Sequence, residues 1–142
     1  MLQLGVAKVS VVVNVVLEEI GFLPRCLASI ESLASEIVII DMTPPSSGVT
    51  KIAEKYKAVV FRHPLNPIVE SVRNFGISKA NCEWVLVLDP DEELSDSLRE
   101  KLTKIAKHPG ADYFGIPRKN IVFGKWLRYS RWWPDYNIRF FR

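Results

Sequence analysis

Only two cysteines, Cys26 and Cys82, occur in the 142 residues. Neither has companions at the spacing of a metal cluster, and two thiols make no disulfide framework, so both read as small apolar residues of a reducing compartment. No long apolar run is present either. The stretch Val9–Leu17 is interrupted by Ser10 and Asn14 and followed by Glu18-Glu19, well short of the ~20 residues that cross a bilayer. Nothing at the N-terminus reads as a signal peptide, so the expected setting is cytoplasmic, with contact at the inner face of the cell membrane left open. Also missing is a glycine-rich phosphate loop. Leu17-Glu18-Glu19-Ile20-Gly21 stands where a nucleotidyltransferase or a dinucleotide-binding domain carries its glycines, which argues against both. There is no internal repeat and no low-complexity tract. Acids are scarce at one end: Arg118 to Arg142 holds seven basic residues against the single acid Asp135, and such asymmetry points to an anionic partner there.

What is present suits one compact domain. An apolar share of 48% and a charged share of 25% are those of a globular chain. Val9–Val16, Ile37–Ile40, Ala58–Phe61 and Trp84–Leu88 are continuously apolar and rich in β-branched residues, as strands covered on both faces are. Between them lie helical patterns: Phe22 to about Ser35 with Pro24 in its first turn, Val49 to Tyr56, Val69 to Ala80, and Leu94 to Ile105 with Ser95 and Asp96 available as caps. Tyr113–Pro117 and Asn137–Phe141 read as two further strands. Strands alternating with helices predict an α/β fold with a mostly parallel sheet between helices. In such sheets ligands bind beyond the carboxyl ends of the strands. That rule selects Leu17–Glu19, Asp41–Gly48 and Asp89–Glu93.

Of these, Leu88-Asp89-Pro90-Asp91-Glu92 is the most pointed. Two carboxylates one residue apart at the end of a buried strand repel each other unless a cation lies between them. A hard divalent ion such as Mg2+ or Mn2+ suits them, because it takes oxygen ligands and completes its shell with phosphate oxygens. The plainer alternative is a solvated acidic turn at a helix N-terminus. His63 and His108 lie beside prolines without a second ligand nearby and read as structural.

Taken in order, Val9–Glu19, Glu36–Asp41, Arg73-Asn74-Phe75-Gly76 and Trp84–Glu92 resemble glycosyltransferase family 2. Pro117–Asn120, Trp133–Tyr136 and Arg139–Arg142 resemble its bacterial branch associated with lipopolysaccharide core and other cell-envelope glycans. The resemblance covers nearly the whole chain. It implies a GT-A fold, Rossmann-like, with 1–107 as the donor-binding half and 108–142 as the start of an acceptor-side region. It also implies an inverting, Mn2+- or Mg2+-assisted transfer from a nucleotide sugar, UDP-linked by expectation, to a glycan or lipid-linked acceptor. Under it Asp41 would bind the base, Arg73 the base or diphosphate, Asp89 the ribose or the metal's water, and Asp91 the metal. Glu18 would lie near the nucleotide, and Asp135 would be the general base, unless it is an ordinary turn residue after Pro134.

Three features depart from the family pattern. Leu17 stands where Asn is usual. The loop Asp41-Met42-Thr43-Pro44-Pro45-Ser46-Ser47-Gly48 lacks a second Asp and carries two prolines that remove backbone donors. Family members commonly continue well beyond this length, so the chain reads as a piece of a longer protein or a reduced form. A non-catalytic domain that binds a nucleotide sugar or assembles with another subunit is therefore the alternative. In the C-terminal part, 125–133 interleaves Lys125, Arg128 and Arg131 with Trp126, Tyr129, Trp132 and Trp133. It reads as an acceptor surface, a membrane-surface patch or packed aromatics, with nucleic acid the least favoured partner.

Overall fold

The computed structural model describes residues 7–142; the signal-peptide reading bears in part on residues 1–6, which lie outside the described residues. The chain runs β1 (Val9–Val15), a 3-10 turn (Leu17–Phe22), α1 (Leu23–Ile30), β2 (Glu36–Asp41), α2 (Val49–Lys55) and β3 (Val59–Arg62). It continues through α3 (Val69–Ser78), β4 (Trp84–Leu88), α4 (Asp96–Lys107), β5 (Tyr113–Arg118), β6 (Ile121–Val122), β7 (Lys125–Trp126) and β8 (Asp135–Phe141). Six strands form one sheet in the order β3-β2-β1-β4-β8-β5, and β6 and β7 pair separately. β1 is parallel to β2 and β4, and β2 to β3. β8 is antiparallel to β4 and to β5, so the sheet is mostly parallel with one reversed strand inside it.

Period-two alternation along the strands builds two cores. Val9, Val11, Val13 and Val15 face the side covered by Leu23, Leu27 and Ile30 of α1 and Leu102 of α4. Val12, Val38, Ile40, Val85 and Val87 face α3 through Val72 and Phe75. The buried Trp84 stacks on Phe140 with centroids 4.6 Å apart, which fastens the reversed strand to the parallel part. Gly76 is where α3 meets the sheet. A Cβ there would lie 2.6 Å from Val12 Cγ1 and 3.1 Å from Ile40 Cγ1, so only glycine allows this approach.

The polar interruption of β1 has its own use. Buried Ser10 accepts from the Cys82 amide at 3.0 Å and donates to Glu36, which also accepts from the Asn81 amide at 2.9 Å. Burial opposes the charge on Glu36, but these hydrogen bonds outweigh it and hold the carboxyl below its ordinary range. The opposite end of the strands is thus closed by polar contacts.

Three expectations change. The helix predicted from Phe22 to about Ser35 ends at Ile30, because the amides of Leu33 and Ala34 both return to the Ile30 carbonyl and the Ser35 amide joins Val9. The chain must leave the helix there to enter β2. The segment read as a basic aromatic tail contains a hairpin, β6–β7, whose turn residues Phe123 and Gly124 have φ of 49° and 74°, the pair of positive values that a tight two-residue hairpin requires. β8 starts at Asp135 rather than Asn137, because Asp135 pairs with Arg118 across the ladder.

Candidate functional site

The sheet order reverses at β1 and β4: β2 and β3 lie on one side of this pair, and the later strands on the other. The segments leaving β1 and β4 therefore flank a crevice at the carboxyl ends, the place where open parallel sheets bind ligands. The acids selected from the sequence lie at or near this edge.

Asp89 follows β4 directly and opens a tight turn in which the Glu92 amide donates to the Asp89 carbonyl at 3.0 Å. Pro90 occupies the second position, where its fixed φ is favoured. Glu92 closes the turn from the other direction, its Oε2 accepting from the Asp89 amide at 2.9 Å. Asp91 is left exposed at the apex.

The repulsion expected between these acids is partly met by arginine. Arg73 Nη2 lies 3.2 Å and 3.3 Å from the two Asp89 oxygens, and Arg139 Nη2 lies 3.1 Å from Oδ2. Burial opposes the Asp89 charge, but the hydrogen bond and field of Arg139, then of Arg73, prevail and lower its pKa. Arg139 also reaches Glu92 Oε1 at 3.3 Å. Burial dominates at Glu92 and raises its pKa despite Arg139. Arg118 in turn lies 3.7 Å from Glu92 and 2.8 Å from Asp135 Oδ2. The result is a row of alternating sign: Arg73, Asp89, Arg139, Glu92, Arg118, Asp135. Within it Arg73 Nε and Arg139 Nη1 are buried without a hydrogen-bond partner.

Across the crevice, the 3-10 turn after β1 carries both glutamates. Glu18 is exposed, whereas Glu19 is half-buried. The Glu19 pKa is raised, first by burial and then by the charges of Asp91 and Asp89. The field of these acids thus reaches Glu19. An uncompensated negative field on the Glu19–Asp91 side fits a hard cation by the chemistry of its donors. Among the described residues no group of three or more His, Cys, Asp or Glu is arranged to hold a metal by itself. A cation there would take most of its ligands from phosphate and water.

Asp41, at the end of β2, is 1% exposed. Its Oδ1 accepts from the Thr43 amide at 2.8 Å and the Thr43 hydroxyl at 2.6 Å, and its Oδ2 pairs with Arg62. Contact between this carboxylate and a nucleoside requires the half-exposed Arg62 side chain to turn away. Asp135 is held by Arg118 and, at 3.4 Å, by Asn137 Nδ2. The row joins Arg73, Asp89 and Asp135, while Asp41 stands in a separate cluster with Thr43 and Arg62.

Sequence reasoning missed Arg62, Arg118 and Arg139 as partners of the site acids. A basic residue closing β3 and β5, and another within the last strand, were the available signals. Neither Trp126 nor Trp133 enters the main core; they meet edge to face at 5.1 Å. No helix among the described residues is long and apolar enough to cross a membrane.

Comparison with known proteins adds a family. The family described as "Glycosyl transferase family 2" matches residues 10–142. A TPR repeat-containing protein of Synechococcus elongatus is 32% identical over 117 residues, which are 82% of this chain and 28% of that protein. An uncharacterized glycosyltransferase of Rickettsia conorii is 28% identical over 114 residues, 80% of this chain and 40% of its own length. The crystal structure of S. aureus TarS 1-349 superposes with a TM-score of 0.54 at 23% identity, covering 71% of this chain and 33% of that one. The chain thus spans less than half the length of each of these relatives. Its fold is the GT-A arrangement expected from the sequence.

Proposed function

Because the chain belongs to glycosyl transferase family 2, we propose that it is the donor-binding part of an enzyme that moves a sugar from a nucleoside diphosphate, UDP by preference, to a hydroxyl of a glycan or lipid-linked acceptor of the cell-envelope type. The observation that carries this reading is the exposed Asp91 in the turn after β4, two residues beyond Asp89, onto which Arg73 and Arg139 are drawn. The carboxylate of Asp91, unpaired among the described residues and close to these guanidinium groups, suits a diphosphate that brings its own counter-ion.

In this scheme Asp91, with Glu19 near it, would hold a Mn2+ or Mg2+ ion, whose chemistry there would be to offset negative charge on a diphosphate. Asp89 has its charge matched by arginine, so it orients Arg73 and stays available for the ribose. Arg73 presents the rest of its guanidinium to the phosphates or base, and Asp41 supports the base-binding loop through Thr43. Asp135 accepts the proton of the attacking acceptor hydroxyl, on the face opposite the diphosphate in an inverting transfer. Both Arg118 contacts fall on Asp135 Oδ2, which leaves Oδ1, lightly held by Asn137, to take the proton. Titration calorimetry with UDP and Mn2+ tests the scheme. Binding is expected to need the ion and to fall at least ~100-fold in Asp91→Ala, the loss of a charged ligand. Equal affinity in excess chelator would rule the metal role out.

One observation favours the alternative of a domain that binds without catalysing. The Asp41 carboxylate is occupied by Thr43 and Arg62, next to a loop stiffened by Pro44 and Pro45. Hydrolysis or transfer of a donor sugar by the 142-residue chain would eliminate that alternative.

A further inference from the structure

The hairpin after β5 has no part in the chemistry above, and its composition asks for a different explanation. Its turn places Phe123 at φ 49°, a left-handed conformation that is unfavourable for a residue with a side chain. The ring gains no packing in return, since Phe123 is 100% exposed. Ile121 and Val122 beside it are exposed as well, and so are Tyr129 (85%) and Trp132 (49%) on the segment that follows. Beneath this apolar group the root is well held. Trp126 is covered by Lys119 Nζ at 4.3 Å and the Arg128 guanidinium at 3.9 Å, and it meets Trp133 edge-on.

The charges around it are of one sign. No acid occurs between Asp112 and Asp135, while Lys119, Lys125, Arg128 and Arg131 all do, and all four are exposed. A protruding tip of Ile, Val and Phe offers no flat platform for stacked bases. It fits the acyl boundary of a bilayer, with cations at the height of the lipid phosphates and Tyr and Trp at the interface.

We propose that residues 119–132 form a membrane-docking finger, which buries Phe123 with Ile121 and Val122 below the headgroups of an anionic leaflet while Lys119, Lys125, Arg128 and Arg131 pair with lipid phosphates. The finger is rooted at Arg118, whose guanidinium holds Asp135 and Glu92. Docking therefore brings the Arg118 end of the charged row toward the lipid surface. The benefit to a lipid-linked acceptor rests on the function proposed above, whereas the docking itself does not.

Flotation with vesicles of phosphatidylcholine alone and of phosphatidylcholine with phosphatidylglycerol tests the finger directly. The 142-residue chain is expected to float with the anionic vesicles, to lose binding as salt is raised, and to stay behind with the neutral ones. Phe123→Ser removes one fully inserted aromatic side chain and should weaken binding about tenfold or more, and Lys125→Glu combined with Arg131→Glu should weaken it at least as much. All three positions are exposed, so thermal midpoints should be unchanged, and UDP–Mn2+ calorimetry on Phe123→Ser should match the parent. Equal flotation with both vesicle types, no flotation with either, or a Phe123→Ser chain that floats like the parent would each overturn the proposal. Salt-sensitive binding to single-stranded nucleic acid without flotation would do so as well. Loss of donor binding in Asp91→Ala with flotation intact keeps this question separate from that of transfer.

Discussion

Replacing Arg139 by Met isolates the centre of the charged row. Arg139 is 9% exposed and gives one hydrogen bond to Asp89 at 3.1 Å and another to Glu92 at 3.3 Å. Hydrogen bonds to charged groups contribute about 1.5–3 kcal/mol each when well made, and both of these are long. Asp89 retains Arg73 and Glu92 retains Arg118. The variant also removes the buried Nη1 that has no partner, a desolvation cost in the parent. The balance is a loss of about 2 kcal/mol near neutral pH, or roughly 6 °C in Tm for a chain of this size. The pH dependence follows from the two acids. Asp89, with its pKa lowered, contributes stability that is present above its unfolded pKa and lost as pH falls through the folded one. Glu92, with its pKa raised, contributes stability that is full at low pH and declines as pH rises through its folded value. Without Arg139 the first shift shrinks and the second grows. The deficit should therefore be largest at neutral pH and narrow as the carboxylates are protonated. Thermal denaturation followed by circular dichroism from pH 8 to pH 4 measures it. A Tm within about a degree of the parent at pH 7.5, or a deficit that does not narrow on acidification, would refute the reasoning.

Two further outcomes follow from packing. Gly76→Ala forces a methyl against Val12 Cγ1 at 2.6 Å and should lower stability by about 1–3 kcal/mol, read as a shifted urea midpoint with an unchanged slope. The Cys26 thiol is buried, and burial, followed by the charges of Glu92 and Glu93, pushes its pKa up to about 12. Iodoacetamide at pH 8 should thus modify the half-buried Cys82 alone, as mass spectrometry of a digest would show, until denaturant exposes Cys26.

The parallel part of the sheet was legible because continuous β-branched runs have few other homes. Trp84–Leu88 was located to the residue, and β1 and β2 to within one at each end. Helix α1 was drawn too long because Leu33 keeps the helical period after the backbone has turned toward β2; it packs in the core from a loop. The β6–β7 hairpin escaped notice because its strands have two residues each and a phenylalanine occupies the first turn position, where Asn or Asp is the usual signal. At the site, the positions of Asp41 and Asp89 after apolar runs were plain from the chain. Their partners were not: Arg62 is 21 residues from Asp41, and Arg139 is 50 from Asp89. Pairing across such separations depends on strand order, which periodicity does not encode.

A line of six groups with strictly opposite neighbours has one evolutionary corollary. Exchange of any one member for a neutral residue leaves an odd charge in a half-buried place, whereas loss of an adjacent couple leaves the remainder matched. Among proteins that share this arrangement, Arg118 and Asp135 should accordingly persist together or vanish together, and Arg139, the more buried of its two arginines that each serve two acids, should be the last to change.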